Sequence, residues 1–282
     1  MPVTAKSSSR TTTGSAFGAM LREWRRLRGA SQLDLALTCG LSQKHLSFLE
    51  SGRSRPSRGM VLHLASVLGV PLFQQNAMLL AAGFAPVYKE RAPDAPDMQP
   101  IERALTQVLE QQEPFPALVV DGAYSVLRAN RATAHFLGFL LGAPPAPAAP
   151  LNVVELVLRA DALRPYIEDW EEVAAWMVRR LSAQALLEGE GAESELLQRV
   201  MKLPDVATLD RAPASDHDMP PTLVTRFRKG ATRLALFSMI TTLGTPLDVA
   251  LQKLHVELFF PADDATEQWF REAAARGSPK SE

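Results

Sequence analysis

Apolar positions recur at helical spacing through the first eighty residues. Phe17, Leu21, Trp24 and Leu27 fall at i, i+4, i+7 and i+10, which predicts a helix with one buried stripe. Gly29 stops it. Ser31 caps a second helix carrying Leu33, Leu35 and Ala36, and Gly40 ends that one. Ser42 caps a third, with Leu46 and Leu49 facing inward. Pro56 through Leu68 and Leu72 through Ala82 give a fourth and fifth helix, ended by Gly69 and Gly83, so this stretch is predicted to be an all-α bundle. Prolines at 86, 93, 96 and 100 then mark a linker.

The pattern changes after that linker. A helix over Ile101, Leu105 and Leu109 precedes two strand-like runs, Ala117–Val120 and Ala123–Arg128, separated by Asp121-Gly122, which predicts a hairpin. Asn130 is placed to cap the next helix. Helical periodicity dominates from Asn152 to Leu203, and three strand-like runs follow, at Thr222–Phe227, Arg233–Thr241 and Lys253–Phe260. Two strands, a helical insert and three strands predict an α+β domain: a five-stranded sheet with helices on one face.

The expected organisation is a disordered tail over 1–16, a reader domain over 17–84, a linker over 85–100, an α+β domain over 101–270 and a flexible tail over 271–282. The longest stretch without Asp, Glu, Lys or Arg, Ala132–Val154, contains Pro144, Pro145, Pro147 and Pro150 and reads as a loop, not a membrane span. With no apolar signal segment at the start, the cytoplasm is the expected location.

Composition alone argues for a globular chain of 282 residues, 46% of them hydrophobic and 22% charged, with a net charge of −1. The single Cys39 rules out an internal disulfide and reads as a small buried hydrophobe. The near-zero net charge hides a partition. Residues 1–75 carry ten basic and three acidic side chains, a balance of +7, which leaves −8 for the remainder. Such asymmetry suggests a module for a polyanion joined to a module for something else.

Two short helices joined through Gly40 form a helix-turn-helix unit. Ala36 must be small where the helices cross, and Leu41 and Leu46 plug the seam. The run Gln32-x-x-x-Ala36-x-x-x-Gly40-Leu41-Ser42-x-x-x-Leu46-Ser47-x-Leu49-Glu50, followed by Gly52-Arg53-Ser54-Arg55-Pro56-Ser57, resembles the lambda-repressor-like, xenobiotic-response-element family of DNA-binding domains. The resemblance implies that Gln32 bonds a phosphate and that the start of the third helix, Ser42, Gln43, Lys44, His45 and Ser47, enters the major groove of double-stranded DNA. Gln43 suits adenine and Lys44 suits guanine, while Arg53 and Arg55 hold phosphates. His45 either contacts phosphate or lies on the surface. Phe48 either touches a thymine methyl or packs on its own domain, and Glu50 is expected to cap or pair locally rather than touch DNA.

The hairpin leading through Asn130 resembles the opening of a PAS domain. Together with NAMLLAAGFAPVY, the Trp170 helix and FSMITTLGTPLDVALQKLHVELFFPADDAT, it makes nearly the whole chain similar to the MmyB-like regulators. That resemblance implies a PAS-like ligand-binding domain holding a small apolar ligand, a fatty acid or related lipophile. Candidate walls are Phe136, Tyr166, Trp170 and Phe237, and candidate anchors are Asn152 and His255. The family commonly has Asn before the equivalent Trp, where this chain has Asp169.

The expected function is therefore a homodimeric, sequence-specific transcriptional regulator. The alternative is a regulator whose second domain binds a protein partner. Enzyme activity is not expected, since no His-Glu-x-x-His, Gly-x-Ser-x-Gly, phosphate-binding glycine loop or Cys-x-x-Cys occurs. No metal site or cofactor is expected either, and Asp216-His217-Asp218 reads as a solvated acidic loop.

Overall fold

The computed structural model describes residues 13–92, 95–142, 151–188, 191–209 and 222–277. Residues 1–12 and 278–282 of the two terminal tails, most of the proline-rich loop after Gly142, and Asp216, His217 and Asp218 lie outside the described residues; residues 271–277, expected as flexible tail, are helical. The chain divides into two compact units. One runs to Arg91 and takes in Pro246–Gln252; the other comprises Ala92–Thr245 and the chain from Lys253 onward.

The first unit contains α1 (Thr13–Leu27), α2 (Gln32–Thr38), α3 (Gln43–Glu50), α4 (Arg58–Val67) and α5 (Leu72–Ala81). Ser31, Ser42 and Ser57 each accept the backbone N–H three residues on and so cap α2, α3 and α4. At Ser31 the cap is reciprocal, because the Asp34 carboxylate accepts from the Ser31 N–H. Gly40, at φ 66°, makes the left-handed turn between α2 and α3. Phe17, Leu21, Trp24, Ala36, Leu46 and Leu49 form the buried centre, whereas Leu27, fourth in the predicted stripe, is exposed.

Pro246–Gln252, placed in the second domain by the sequence reading, completes this unit. The Asp248 carboxylate, only 1% exposed, accepts from the Arg91 backbone N–H at 3.0 Å and from Arg91 Nη1 at 3.1 Å. Gln252 Oε1 accepts from Leu72 N–H at 2.6 Å. It caps α5, whose preceding Pro71 offers no side-chain acceptor.

The second unit is a PAS-like α+β domain. Its sheet joins β1 (Ala117–Val120), β2 (Val126–Ala129), β3 (Thr225–Lys229), β4 (Thr232–Thr242) and β5 (His255–Pro261) in the order β2-β1-β5-β4-β3, antiparallel throughout. The insert is α7 (Arg131–Leu141), α8 (Val153–Leu158), α9 (Trp170–Glu188), α10 (Ala192–Val200) and α11 (Pro204–Ala207). α6 (Gln99–Gln111) precedes the sheet and α13 (Asp264–Gly277) follows it, while α12 (Val249–Lys253), which up to Gln252 belongs to the first unit, leads into β5.

Helices cover both faces of the sheet, not the single face expected. Leu105 and Leu109 of α6 pack on Ala117, Val119 and Val256, while Phe136, Trp170 and Val173 of the insert join Phe227 and Leu236 on the other side. This explains why all four residues of β1 are buried and alternation fails there. The hairpin also differs from the two-residue turn expected. The second strand begins at Val126, the Asp121 carboxylate accepts from Ser125 N–H at 2.9 Å, and the left-handed residue is Tyr124, φ 61°. A Cβ on Gly122 would fall 2.4 Å from Glu193 Oε1 and 3.2 Å from Lys253 Cβ, so a larger residue there would displace the Glu193 carboxylate.

Candidate functional site

In the helix-turn-helix unit, Gln43 and Lys44 stand exposed on the first turn of α3. Phe48, one turn on, lies beneath two cations: Lys44 Nζ is 5.7 Å and Arg53 Cζ 5.9 Å from its ring centroid. Arg53 N–H also donates to the Phe48 carbonyl at 2.9 Å, which ties the loop to the helix end. The ring therefore joins the helix cation to the loop cation, which the sequence reading had treated separately. Arg55 is exposed beyond them, and His45 and Ser47 are half-buried.

Two predicted DNA contacts each also make a hydrogen bond within the protein. Ser42 Oγ accepts from His45 N–H at 3.1 Å. Gln32 Nε2 donates to Glu50 Oε2 at 2.8 Å. Glu50 is the hub of the unit: only 3% exposed, it accepts from Arg25 Nε at 2.6 Å and Arg25 Nη2 at 3.0 Å, and its carbonyl accepts from Arg22 Nη2 at 3.2 Å. Burial alone would push the Glu50 carboxyl up. The bonds from Arg25 and Gln32 and the charges of Arg25 and Arg22 outweigh it and hold the group below its ordinary value. α1 lies against the end of α3 so closely that a Cβ on Gly18 would fall 2.5 Å from the Glu50 carbonyl oxygen. Cys39 is buried on this unit's core, and burial pushes its thiol up.

In the second unit, the helical insert and the sheet line a partly open cavity of about 1200 Å³. Phe136, Trp170, Val173, Phe227, Leu236 and Phe259 wall it. Trp170 is held by its Nε1–H, which donates to the Val157 carbonyl at 2.9 Å, and by the Arg164 guanidinium 4.0 Å from its ring centroid. Arg164 in turn pairs with Asp205.

Of the six residues proposed from sequence for this pocket, Phe136 and Trp170 line it and four others do not. Asn152 caps α8, accepting from Glu155 N–H at 3.1 Å and donating to the Ala123 carbonyl at 2.7 Å, so its amide is committed to backbone. Tyr166 lies under Lys229 Nζ, 5.7 Å from its ring centroid. Phe237 stacks on Phe260 at 5.6 Å, one residue out of register with the lumen-facing Leu236 and Ser238. His255 is partly buried, and its Nδ1 has no hydrogen-bond partner among the described residues; burial first, then the charge of Arg180, push its pKa down. Asp169, where the family commonly has Asn, pairs at the surface with Arg226 at 3.0 Å.

The sequence reading missed the polar residues of the lining, among them Arg180, Ser238 and Glu257. A signal was present: Glu257 is a charged residue inside the apolar run of β5, between Val256 and Leu258. Burial pushes its carboxyl up, and a hydrogen bond with Ser238 and the charge of Arg180 offset this only in part. Among the described residues no group of three or more His, Cys, Asp or Glu side chains is placed to hold a metal ion, and no described helix is long and apolar enough to cross a membrane.

Residues 101–273 match the MmyB-like transcription regulator ligand binding domain, and residues 21–74 match a helix-turn-helix family. Nothing among curated proteins matches the chain. Two crystal structures of the clp gene regulator ClgR from Corynebacterium glutamicum are similar to it in sequence. One is 30% identical over 25% of this chain and 88% of that one, the other 26% identical over 36% and 95%, each with a TM-score of 0.23.

Proposed function

Because the chain belongs to the MmyB-like transcription regulators, we propose that it is a DNA-binding regulator whose activity is set by a small, largely apolar ligand. The helix-turn-helix unit, 17–84, reads double-stranded DNA. Gln43 and Lys44 meet base edges in the major groove, and Arg53 and Arg55 hold phosphates. Gln32 and Ser42 also aim the helix, since they fix Glu50 and the start of α3, while the second Gln32 N–H and the Ser42 O–H can still donate to phosphate.

One such helix reads only a few base pairs, so the protein acts as a homodimer on half-sites about 34–36 Å apart or a multiple of that. The observation that carries the ligand reading is the cavity of about 1200 Å³, whose lining is mainly apolar with charged and hydroxyl side chains among it. Ligand binding there biases the dimer toward one arrangement of its recognition helices and so changes affinity for the operator.

Selection from a random double-stranded pool followed by footprinting tests the DNA half: a protected two-fold site is expected, and uniform weak protection would contradict it. Native mass spectrometry of protein purified from its own host tests the ligand half. A bound small lipophile supports it, whereas a bound second polypeptide and no small molecule would favour a protein partner for the second domain.

A further inference from the structure

The connection from β4 to β5 is longer than its strands require. They are antiparallel neighbours whose register ends at Thr242↔His255, and a loop of about two to five residues suffices to join such a pair. Residues 243–254 join them instead. Within that stretch Pro246–Gln252 fold with the helix-turn-helix unit, whereas Thr245 and Lys253 belong to the sensor unit.

The excursion is anchored along its length. Both oxygens of the buried Asp248 carboxylate are engaged, Oδ2 by the Arg91 backbone N–H and Nη1 and Oδ1 by the Ala250 N–H at 3.0 Å. The buried Val249 donates its N–H to the Lys89 carbonyl at 2.9 Å. Gln252 Oε1 then caps α5 at Leu72.

Its two ends are unlike. On the way in, Gly244 and Thr245 are exposed, and a Cβ on Gly244 would meet nothing within 4 Å. On the way out, Gln252 and Lys253 are consecutive residues of the single turn α12, each bonded within a different unit: Lys253 Nζ pairs with the buried Glu193 of α10 at 2.9 Å. β5 begins two residues later, and its Glu257 and Phe259 line the cavity. A glycine-containing, exposed entry absorbs a shift, while a hydrogen-bonded turn passes one on.

α5 is well placed to receive it, because its Met78 and Leu79 share one core with Leu46 and Leu49 of α3. Loss of a helix cap changes a local equilibrium by about two- to thirty-fold. That range overlaps the coupling of about five- to 150-fold found between allosteric sites.

We propose that Pro246–Lys253 is the strap that carries the state of the cavity to the DNA reader. Filling the cavity displaces β5, α12 passes the displacement to the Gln252 cap, and α5 resets the recognition helix. This rests on the reading of the cavity as a ligand site that controls DNA binding, and it names the segment that carries the control.

The test uses full-length, delipidated protein, operator DNA recovered by selection, and N-phenyl-1-naphthylamine, whose own fluorescence reports occupancy of the cavity. On filling, the unaltered protein should change its operator Kd by about five-fold or more. Two glycines inserted between Gln252 and Lys253 keep each unit's bonds but loosen the turn between them. Probe affinity and empty-state operator affinity should then stay within about two-fold while the response to the probe is lost. Gln252→Ala should lose the response as well, whereas Gln252→Glu, which retains an acceptor for the Leu72 N–H, should keep it. Amide hydrogen exchange in the first turn of α5 reads the cap directly, and it should change on filling in the unaltered protein and not in the insertion variant. A full response in the insertion variant would overturn the strap and leave the ligand reading standing. So would unchanged exchange at α5 in unaltered protein whose operator affinity does shift. A probe that fails to bind, or that binds without moving operator affinity, would overturn control of DNA binding by the cavity, and the strap with it.

Discussion

Arg25 grips Glu50 through two parallel hydrogen bonds, Nε to Oε1 at 2.6 Å and Nη2 to Oε2 at 3.0 Å, and so fastens α1 to the last residue of the recognition helix. The pair is buried, so removing one partner leaves the other uncompensated. Glu50→Leu should cost about 3 kcal/mol of the helix-turn-helix unit's stability in urea unfolding. The depressed Glu50 carboxyl contributes stability above its unfolded value and loses it as pH falls through the folded one. Stability should therefore be flat near neutrality and fall on the acid side of the ordinary carboxylate range. Glu50→Leu should weaken that acid-side loss.

Gly18→Ala should act at the same junction by crowding. Its Cβ would fall 2.5 Å from the Glu50 carbonyl oxygen and 2.6 Å from that of Leu49, both backbone atoms that cannot swing away. A loss of about 1–3 kcal/mol is expected, with weaker operator binding because the end of α3 must shift. A chemical-denaturation series on the variant measures the first and fluorescence anisotropy with operator DNA the second.

The cations on Phe48 separate into two roles on DNA. Lys44→Ala should relax base preference at one position by about 1–3 kcal/mol. Arg53→Ala should weaken all sequences alike and reduce the salt slope by about one. Phe48→Leu keeps an apolar side chain but removes the ring under both cations. It should weaken operator binding about three- to ten-fold without changing which bases are preferred. Competition titrations on specific and random duplexes at several salt concentrations distinguish these patterns.

Glu257 should lower stability where it serves binding. Its carboxyl is raised in the folded protein, chiefly by burial, so folding opposes ionisation. Stability of the sensor unit should decline as pH rises from the ordinary carboxylate range through the raised value. Glu257→Leu should remove that decline and raise stability at pH 8 by about 1 kcal/mol, read from thermal unfolding.

Much of this architecture is legible in local residue chemistry, and what is not is non-local. Ser31, Ser42 and Ser57 announce their helices because a cap works within three residues, and Gly40 announces its turn by taking positive φ. Asn152 misled for the same reason: a polar residue beside an apolar run reads equally as a ligand anchor or a cap, and the structure commits it to backbone. Phe237 misled because alternation sends Leu236 and Ser238 to the lumen and 237 to the opposite face, a register that only strand pairing sets. Asp121-Gly122 signals a tight turn, yet a larger residue at Gly122 would displace the carboxylate of Glu193, some seventy positions on. Neither the Arg180–Glu257 juxtaposition nor the capping of α5 by Gln252 could be read from spacing, since each joins distant segments.

The coupling of the cavity to DNA is the claim on which the account turns, and one measurement reaches it directly. Operator DNA recovered by selection is titrated at fixed salt with delipidated full-length protein, and again with protein saturated with an apolar probe that fills the cavity, such as N-phenyl-1-naphthylamine. A change in Kd of about five- to 150-fold, absent for random DNA of equal length, is the predicted result. Identical operator affinity with the cavity empty and filled would contradict it.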